Sequence, residues 1–286
     1  MTFDEVIAAY LSARSLDRRS TWREKYSLVK LSPHFSGRPL RQLKRADIRA
    51  YVALRLNDGV AIATIKRELR LFCAAINFAR LEFDLHDLPN PVANLGLSSS
   101  EPRVRWITRD QAAQLIQAAQ STAIRPHLPA FIRLALNTGC RKGELLNLEW
   151  SRVDESRRLF LLEARHTKQR KRRTVPLNDD ALQALEQLRT WQAQYLPGTP
   201  WVFGWREGCR ITTFKTGFTS ALKRASIDDF RIHDLRHTFA SWLVMQGESL
   251  YVVKDLLGHA SVTQTEIYAH LAPNQMHDAV QRLLPF

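Results

Sequence analysis

Apolar residues recur at helical spacing through the first third of the chain. Val6, Ile7, Tyr10 and Leu11 share one face, as do Ile48, Tyr51, Val52 and the aliphatic stem of Arg55. Ile65, Leu69, Phe72, Ile76 and Phe78 continue the pattern between Ile62 and Phe83. Breakers fall between these runs: Pro33 to Pro39 around Gly37, Asn57-Asp58-Gly59, and Leu88-Pro89-Asn90-Pro91. The pattern predicts about four helices, a small module over residues 1–93. Residues 94–105 then lose periodicity and carry three serines, a glycine and a proline. They read as an exposed, flexible linker that would let two domains close on a partner.

Helical spacing resumes in 106–286, the second expected domain. Thr108 to Gln111 has the form of a capping box, followed by Ala112, Leu115, Ile116 and Ala119 on one face. A second helix is predicted from about Leu128 to Asn137, stopped by Gly139 as a left-handed cap. Arg141 opens the next, with Leu145, Leu146 and Leu148 as its apolar face. Between 151 and 177 the period changes: Leu159–Leu162 and Arg173–Leu177 read as strands flanking a basic turn, a small antiparallel sheet. Helices are expected again at roughly 179–194, 213–225, 234–246, 249–257 and 262–269, with a last one near 274–284. The fold class is therefore mainly α, with a small antiparallel β-sheet in the C-terminal domain.

Composition narrows the function. The 286 residues carry a formal charge of +14, and both parts share the excess: 16 Lys and Arg against 10 Asp and Glu in 1–100, 26 against 18 in 101–286. Two basic parts suit a protein that grips a polyanion from both sides, because each phosphate contact releases counterions. No apolar run approaches the roughly 18 to 20 residues of a membrane span, and acids occupy the start where a secretory signal would place lysines. A cytoplasmic protein with no membrane partner is expected. Cys73, Cys140 and Cys209 are too scattered for a disulfide framework or a zinc pattern.

The candidate chemistry sits in four strings: Thr138-Gly-Cys-Arg-Lys-Gly-Glu-Leu145, His233-Asp-Leu-Arg-His-Thr-Phe-Ala-Ser241, Leu257-Gly-His259, and Thr265-Glu-Ile-Tyr-Ala-His270. Arg141 stands where a helix start already favours an anion, and a guanidinium adds a two-pronged grip on phosphate oxygens. Glu144, one turn on, is placed to orient it. His233 and Arg236 share a helix face at a spacing of three. His233 and His237 could suggest a metal pair, but Asp234 replaces the glutamate a zinc-protease helix requires and no third ligand is evident. His259 follows a helix-ending glycine, and Tyr268 comes nine residues later. Two arginines, two histidines and a tyrosine suffice for metal-free phosphoryl transfer.

These strings, in this order, resemble the tyrosine recombinase (phage integrase) family, and the likeness covers nearly the whole chain. The resemblance implies a two-domain clamp on double-stranded DNA, with a helical core-binding domain and an α+β catalytic domain. It implies Arg141, Lys168, His233, Arg236 and His259 as catalytic residues around Tyr268, the nucleophile of a 3′-phosphotyrosyl intermediate. His233 is expected as the base, Lys168 as the acid on the 5′-oxygen with Lys171 as its fallback, and His237 as structural. The segment Arg165-His-Thr-Lys-Gln-Arg-Lys-Arg-Arg173 holds six Lys and Arg in nine residues. Arg165, Arg170, Lys171, Arg172 and Arg173 are accordingly expected to contact DNA phosphates.

No cofactor or metal is implied. The implied assembly is a homo-tetramer on DNA, monomeric or dimeric when free, with DNA-bending accessory proteins as candidate partners in a prokaryotic or phage nucleoid. The sequence starts almost directly with the helical module, so no separate arm-site-binding domain is expected within it, and whether one precedes it is left open. The last helix, 274–284, could pack on its own domain or dock on a neighbouring protomer, and the sequence leaves both open. A type IB topoisomerase-like relaxing enzyme would use the same pocket, and a non-catalytic DNA-binding regulator would share only the charge.

Overall fold

The structure is a computed structural model and describes residues 1–14, 21–98, 103–121, 126–164, 172–273 and 280. The chain divides into two compact units, Met1–Glu101 and Pro102–Phe286.

The regular elements among the first unit's described residues are helical: α1 (Phe3–Arg14), α2 (Thr21–Phe35), a 3-10 turn at Leu40–Gln42, α3 (Arg45–Asn57) and α4 (Ile62–Glu82). Its core gathers Phe3, Phe35 and Phe72, with the Phe3 and Phe72 rings edge to face at 4.9 Å. Pro33 does not break the chain as the sequence suggested. Helix α2 runs through it to Phe35. The carbonyl that loses its donor belongs to Val29, which is 65% exposed, so water can take the bond. The expected linker is also less free than its composition implied, because Leu95 and Leu97 pack against this unit's core.

The second unit is built around α6 (His127–Thr138), of which ten residues are buried. Around it stand α5 (Arg109–Gln120), α8 (Asp179–Tyr195) and α10 (Asp234–Met245). The capping box is present: Thr108 Oγ1 accepts from the Gln111 backbone at 3.2 Å and Gln111 Oε1 accepts from the Thr108 backbone at 3.1 Å. After the short α7 (Lys142–Leu146) come β1 (Val153–Asp154), β2 (Leu159–Leu162) and β3 (Arg173–Pro176), antiparallel in that order. Arg173 pairs with Leu162 and Pro176 with Leu159, so the proline lies on an edge strand where its missing donor costs nothing.

Helices α9 (Lys215–Arg224) and α11 (Leu250–Leu257) complete the frame. The helix expected over 262–269 is instead two 3-10 turns, Val262–Gln264 and Glu266–Leu271. Thr265, wholly buried between them, gives its side chain to His259, and the chain breaks there to seat it. The helix expected near 274–284 lies outside the described residues apart from Val280.

Candidate active site

Two helices end in left-handed glycines, and each delivers the next polar side chain to one place. Gly139, at φ +60°, ends α6 and is followed by Cys140 and Arg141; Gly258, at φ +63°, ends α11 and is followed by His259. Neither glycine has room for a side chain. A Cβ on Gly139 would strike the Phe239 ring, and one on Gly258 would lie 2.8 Å from Arg173 Nε.

Arg236, on α10, joins these two helix ends. Its Nη1 donates to the Gly139 carbonyl at 2.7 Å and its Nη2 to the Leu257 carbonyl at 2.8 Å. Helix C-terminal carbonyls are short of partners and carry the negative end of the dipole, so they satisfy a cation well. That is how a guanidinium only 3% exposed keeps its charge. Burial and then neighbouring Arg141 pull its pKa down to about 10, still well above neutrality.

Glu144 is the anionic pivot. Its Oε1 accepts from Arg141 Nη1 at 2.8 Å, and its Oε2 accepts from the Arg141 backbone at 2.9 Å and from Arg173 Nη2 at 3.0 Å. Arg173, expected among the phosphate contacts, is differently employed. Its Nη1 donates to the Leu256 carbonyl at 2.8 Å, and its side chain is 16% exposed. It is a strut between β3, α7 and the end of α11, because β3 register turns it inward toward the carboxylate. Arg141 stays 24% exposed at its side chain, so part of its guanidinium faces outward. Among the described residues, Glu144 is the one carboxylate paired with these arginines, so three guanidinium charges stand against one, a surplus of two positive charges.

His259 Nδ1 lies 2.8 Å from Thr265 Oγ1, leaving Nε2 as the ring nitrogen that can meet an anion. Burial, then Arg236 and Arg141, push its pKa down to about 4, so the ring is neutral at pH 7. Tyr268 is 1% exposed, and burial pushes its phenol up to about 12 against the pull of Arg236. Its hydroxyl sits 2.7 Å from His237 Nδ1. The phenol thus rests on His237, while His233, expected as the base, stands one ring further away, 5.0 Å from His237 between centroids. Both histidines lie on or beside the first turn of α10, and spacing alone did not show which would reach the tyrosine.

His233 instead lines a cavity of about 470 Å³ together with Lys142, Lys215 and Arg231. Lys142 opens α7 beside Arg141 and was not picked out from the sequence, having no signal beyond its charge. Arg172 is exposed just before β3. Arg165, Lys168, Arg170 and Lys171 lie outside the described residues.

Arginines on helix ends, a histidine and a buried tyrosine converge in the segment that a model of the phage integrase family matches, residues 105–275. The chain belongs to the phage integrase family. The integrase of Salmonella phage P22 is 31% identical over 78% of this chain and 58% of its own length, so this chain spans little more than half of that relative. A XerC tyrosine recombinase of Xylella fastidiosa is 31% identical over 80% of this chain and 77% of its own. The Tn1549 transposon integrase, solved in complex with a circular intermediate DNA, superposes with a TM-score of 0.81 at 19% identity, covering 99% of this chain and all of that one. That likeness is one of fold, and it embraces the helical unit as well as the second.

Proposed function

We propose that this integrase-family chain is a site-specific DNA recombinase, cleaving and rejoining strands through a 3′-phosphotyrosyl intermediate in integration, excision or inversion of DNA. The observation that carries the reading is the uncompensated charge in a partly enclosed site: Arg141, Arg173 and Arg236 around Glu144 alone, with Tyr268 one element away. A phosphodiester brings one negative charge and gains another as a nucleophile adds. A surplus of two therefore matches the transition state better than the ground state, which is what accelerates a reaction.

In this scheme Arg141 and Arg236 hold the non-bridging oxygens, and His259 donates from Nε2 to the same group. Tyr268 Oη gives its proton to His233, the base in this scheme, and forms the bond to phosphorus as the bond to the 5′-oxygen breaks; Lys168 gives that oxygen its proton. The phosphotyrosyl bond conserves the energy of the phosphodiester, so a 5′-hydroxyl from another strand can reverse the step without ATP. Lys142, beside the cavity that His233 lines, and Arg172 supply grip on flanking phosphates together with the basic residues of 165–171. Exchange between two duplexes requires four strand cuts, one tyrosine each, so a homo-tetramer on double-stranded DNA is the working assembly. It would form from monomers or dimers, in the cytoplasm on phage or bacterial DNA. The Tn1549 integrase, solved in complex with a circular intermediate DNA, supports DNA as the substrate.

The test is covalent trapping on a nicked duplex carrying a candidate site, in EDTA, beside Tyr268→Phe. An SDS-resistant adduct with the unaltered protein only is expected. An adduct with Tyr268→Phe, or tight binding without any adduct on any site, would overturn the reading.

A further inference from the structure

The reaction outlined above makes no use of His237, yet its ring nitrogen lies within hydrogen-bond distance of the nucleophile. It follows Arg236 on α10, and its Nδ1 lies 2.7 Å from the Tyr268 hydroxyl, the two rings tilted at 52° with centroids 5.8 Å apart. Tyr268 is the one buried residue of its 3-10 turn. We propose that His237 is a positioning residue for the nucleophile, its Nδ1 accepting from the phenol and holding Tyr268 seated and protonated until DNA fills the site. This rests on the reading of Tyr268 as the nucleophile.

Three features support it. The turn that carries Tyr268 is held by histidines at two points. His259 holds Thr265 Oγ1 at 2.8 Å, the Tyr268 backbone donates to the Thr265 carbonyl at 3.0 Å, and His237 holds the phenol. A short 3-10 turn has little cohesion of its own, so these side-chain bonds decide where it rests. Burial, then His233 and Arg236, keep the His237 ring neutral against the opposing pull of Asp234, which favours a neutral bond. A phenol at about 12 does not hand its proton to an imidazole at about 4, so the pair is a store and not a base with its nucleophile. Tyr268 must leave His237 to attack, and the phosphate site held by Arg141, Arg236 and His259 is where it goes.

The decisive measurement is nitration by tetranitromethane of the DNA-free protein, read by mass spectrometry at Tyr268 against Tyr251, which is 67% exposed and serves as the internal reference. His237→Leu fills the space without accepting a hydrogen bond, whereas His237→Asn keeps an acceptor near the Nδ1 position. Relative nitration of Tyr268 is expected to rise about ten-fold in His237→Leu, the population change an ordinary hydrogen bond controls, and to stay low in the unaltered protein and in His237→Asn. Equal protection in all three would overturn the proposal. Should His237→Leu fail to fold, nitrogen-15 NMR of labelled histidines in Tyr268→Phe decides instead: the His237 Nδ1 resonance must shift, and an unmoved resonance overturns the proposal. Neither readout needs DNA cleavage, so an absent covalent adduct would sink the nucleophile reading and leave the hydrogen bond separately judged.

Discussion

Each unit buries an arginine–glutamate network, and the two networks are balanced differently. In the helical unit Glu68, 2% exposed at its side chain, takes Arg55 Nη2 at 2.9 Å and Nε at 3.2 Å, and the Tyr51 hydroxyl at 2.6 Å. Asp58 takes Arg55 Nη1 at 3.1 Å, so the guanidinium is matched on every edge by acceptors of this chain. In the second unit Glu144 is as deeply buried, but it answers for Arg141 and Arg173 at once, while Arg236 rests on two carbonyls. The first network is closed. The second is organised by protein acceptors and still lacks an anion. Burial of ionic groups marks both places; only the unbalanced charge separates a site from a strut.

The largest test of that contrast removes each carboxylate in turn. Glu68→Gln and Glu144→Gln should each cost roughly 3–5 kcal/mol, the usual penalty for breaking a buried pair. They should differ in rescue. Sulfate or phosphate should restore much of the lost thermal stability of Glu144→Gln by occupying a site with three unanswered cations, and should restore little to Glu68→Gln. Equal response to the anion in melting curves would mean that the second network is as closed as the first.

A smaller effect is expected from Lys at the arginine positions. Arg236→Lys can reach one of the two helix-end carbonyls but not both, and it presents a point charge where a planar fork stood. Single-turnover cleavage on a suicide substrate should fall about 10²–10³-fold, the scale for loss of one transition-state donor. Arg55→Lys should lower the urea midpoint and leave that cleavage rate within a factor of about two, since its network touches no reacting atom. A cleavage defect of similar size in both would erase the distinction.

How far the sequence could see follows the same line. Arg141, Arg236, His259 and Tyr268 stand in strings whose local rules are visible, above all the glycines that end α6 and α11. The helices were legible because one face is apolar and the breaks are marked. Pro33 misled because a proline's cost depends on whether the orphaned carbonyl reaches water, a tertiary fact. Arg173 could not be told from its neighbours because six basic residues in nine look alike, and only the register of β3 against β2 turns this one toward Glu144. His237 was expected to be structural, but with no partner named, for a related reason. Its partner lies 31 residues away in a turn whose position is fixed by Thr265, and no periodicity reports such a contact.

Backbone substitutions sharpen the comparison at lower cost. Gly37 in the first unit and Gly139 in the second both adopt left-handed conformations, at φ +74° and φ +60°. A Cβ on Gly37 meets nothing within 4 Å, whereas one on Gly139 collides with Phe239 and Leu257. Gly37→Ala should therefore cost about 1 kcal/mol of strain alone. Gly139→Ala should cost about 2–3 kcal/mol, with overpacking added to strain. It should also weaken anion rescue, because the carbonyl that seats Arg236 moves. Denaturant midpoints with unchanged m-values would check both figures.

The smallest effect is set by pH. His237 and His259 are both held to about 4 by burial, against an ordinary value near 6.5. Below 6.5 the unfolded chain binds protons that the folded second unit refuses, so its stability falls as pH drops from about 6.5 toward 4 and is flat above. The two shifts together, discounted for rings that remain half in water, amount to about 2 kcal/mol. In the first unit the shifted carboxylate Glu68 is lowered from 4.5, so its contribution is complete above that value and declines only in more acid solution. Pulse proteolysis in urea, with fragments assigned to each unit, should show the second unit's midpoint dropping between pH 7 and pH 5 while the first unit's holds. Occupation of the site by sulfate should narrow that gap, because an anion beside His259 favours its protonated form. A first unit that weakens in step with the second would show that the histidines are not what makes the site acid-sensitive.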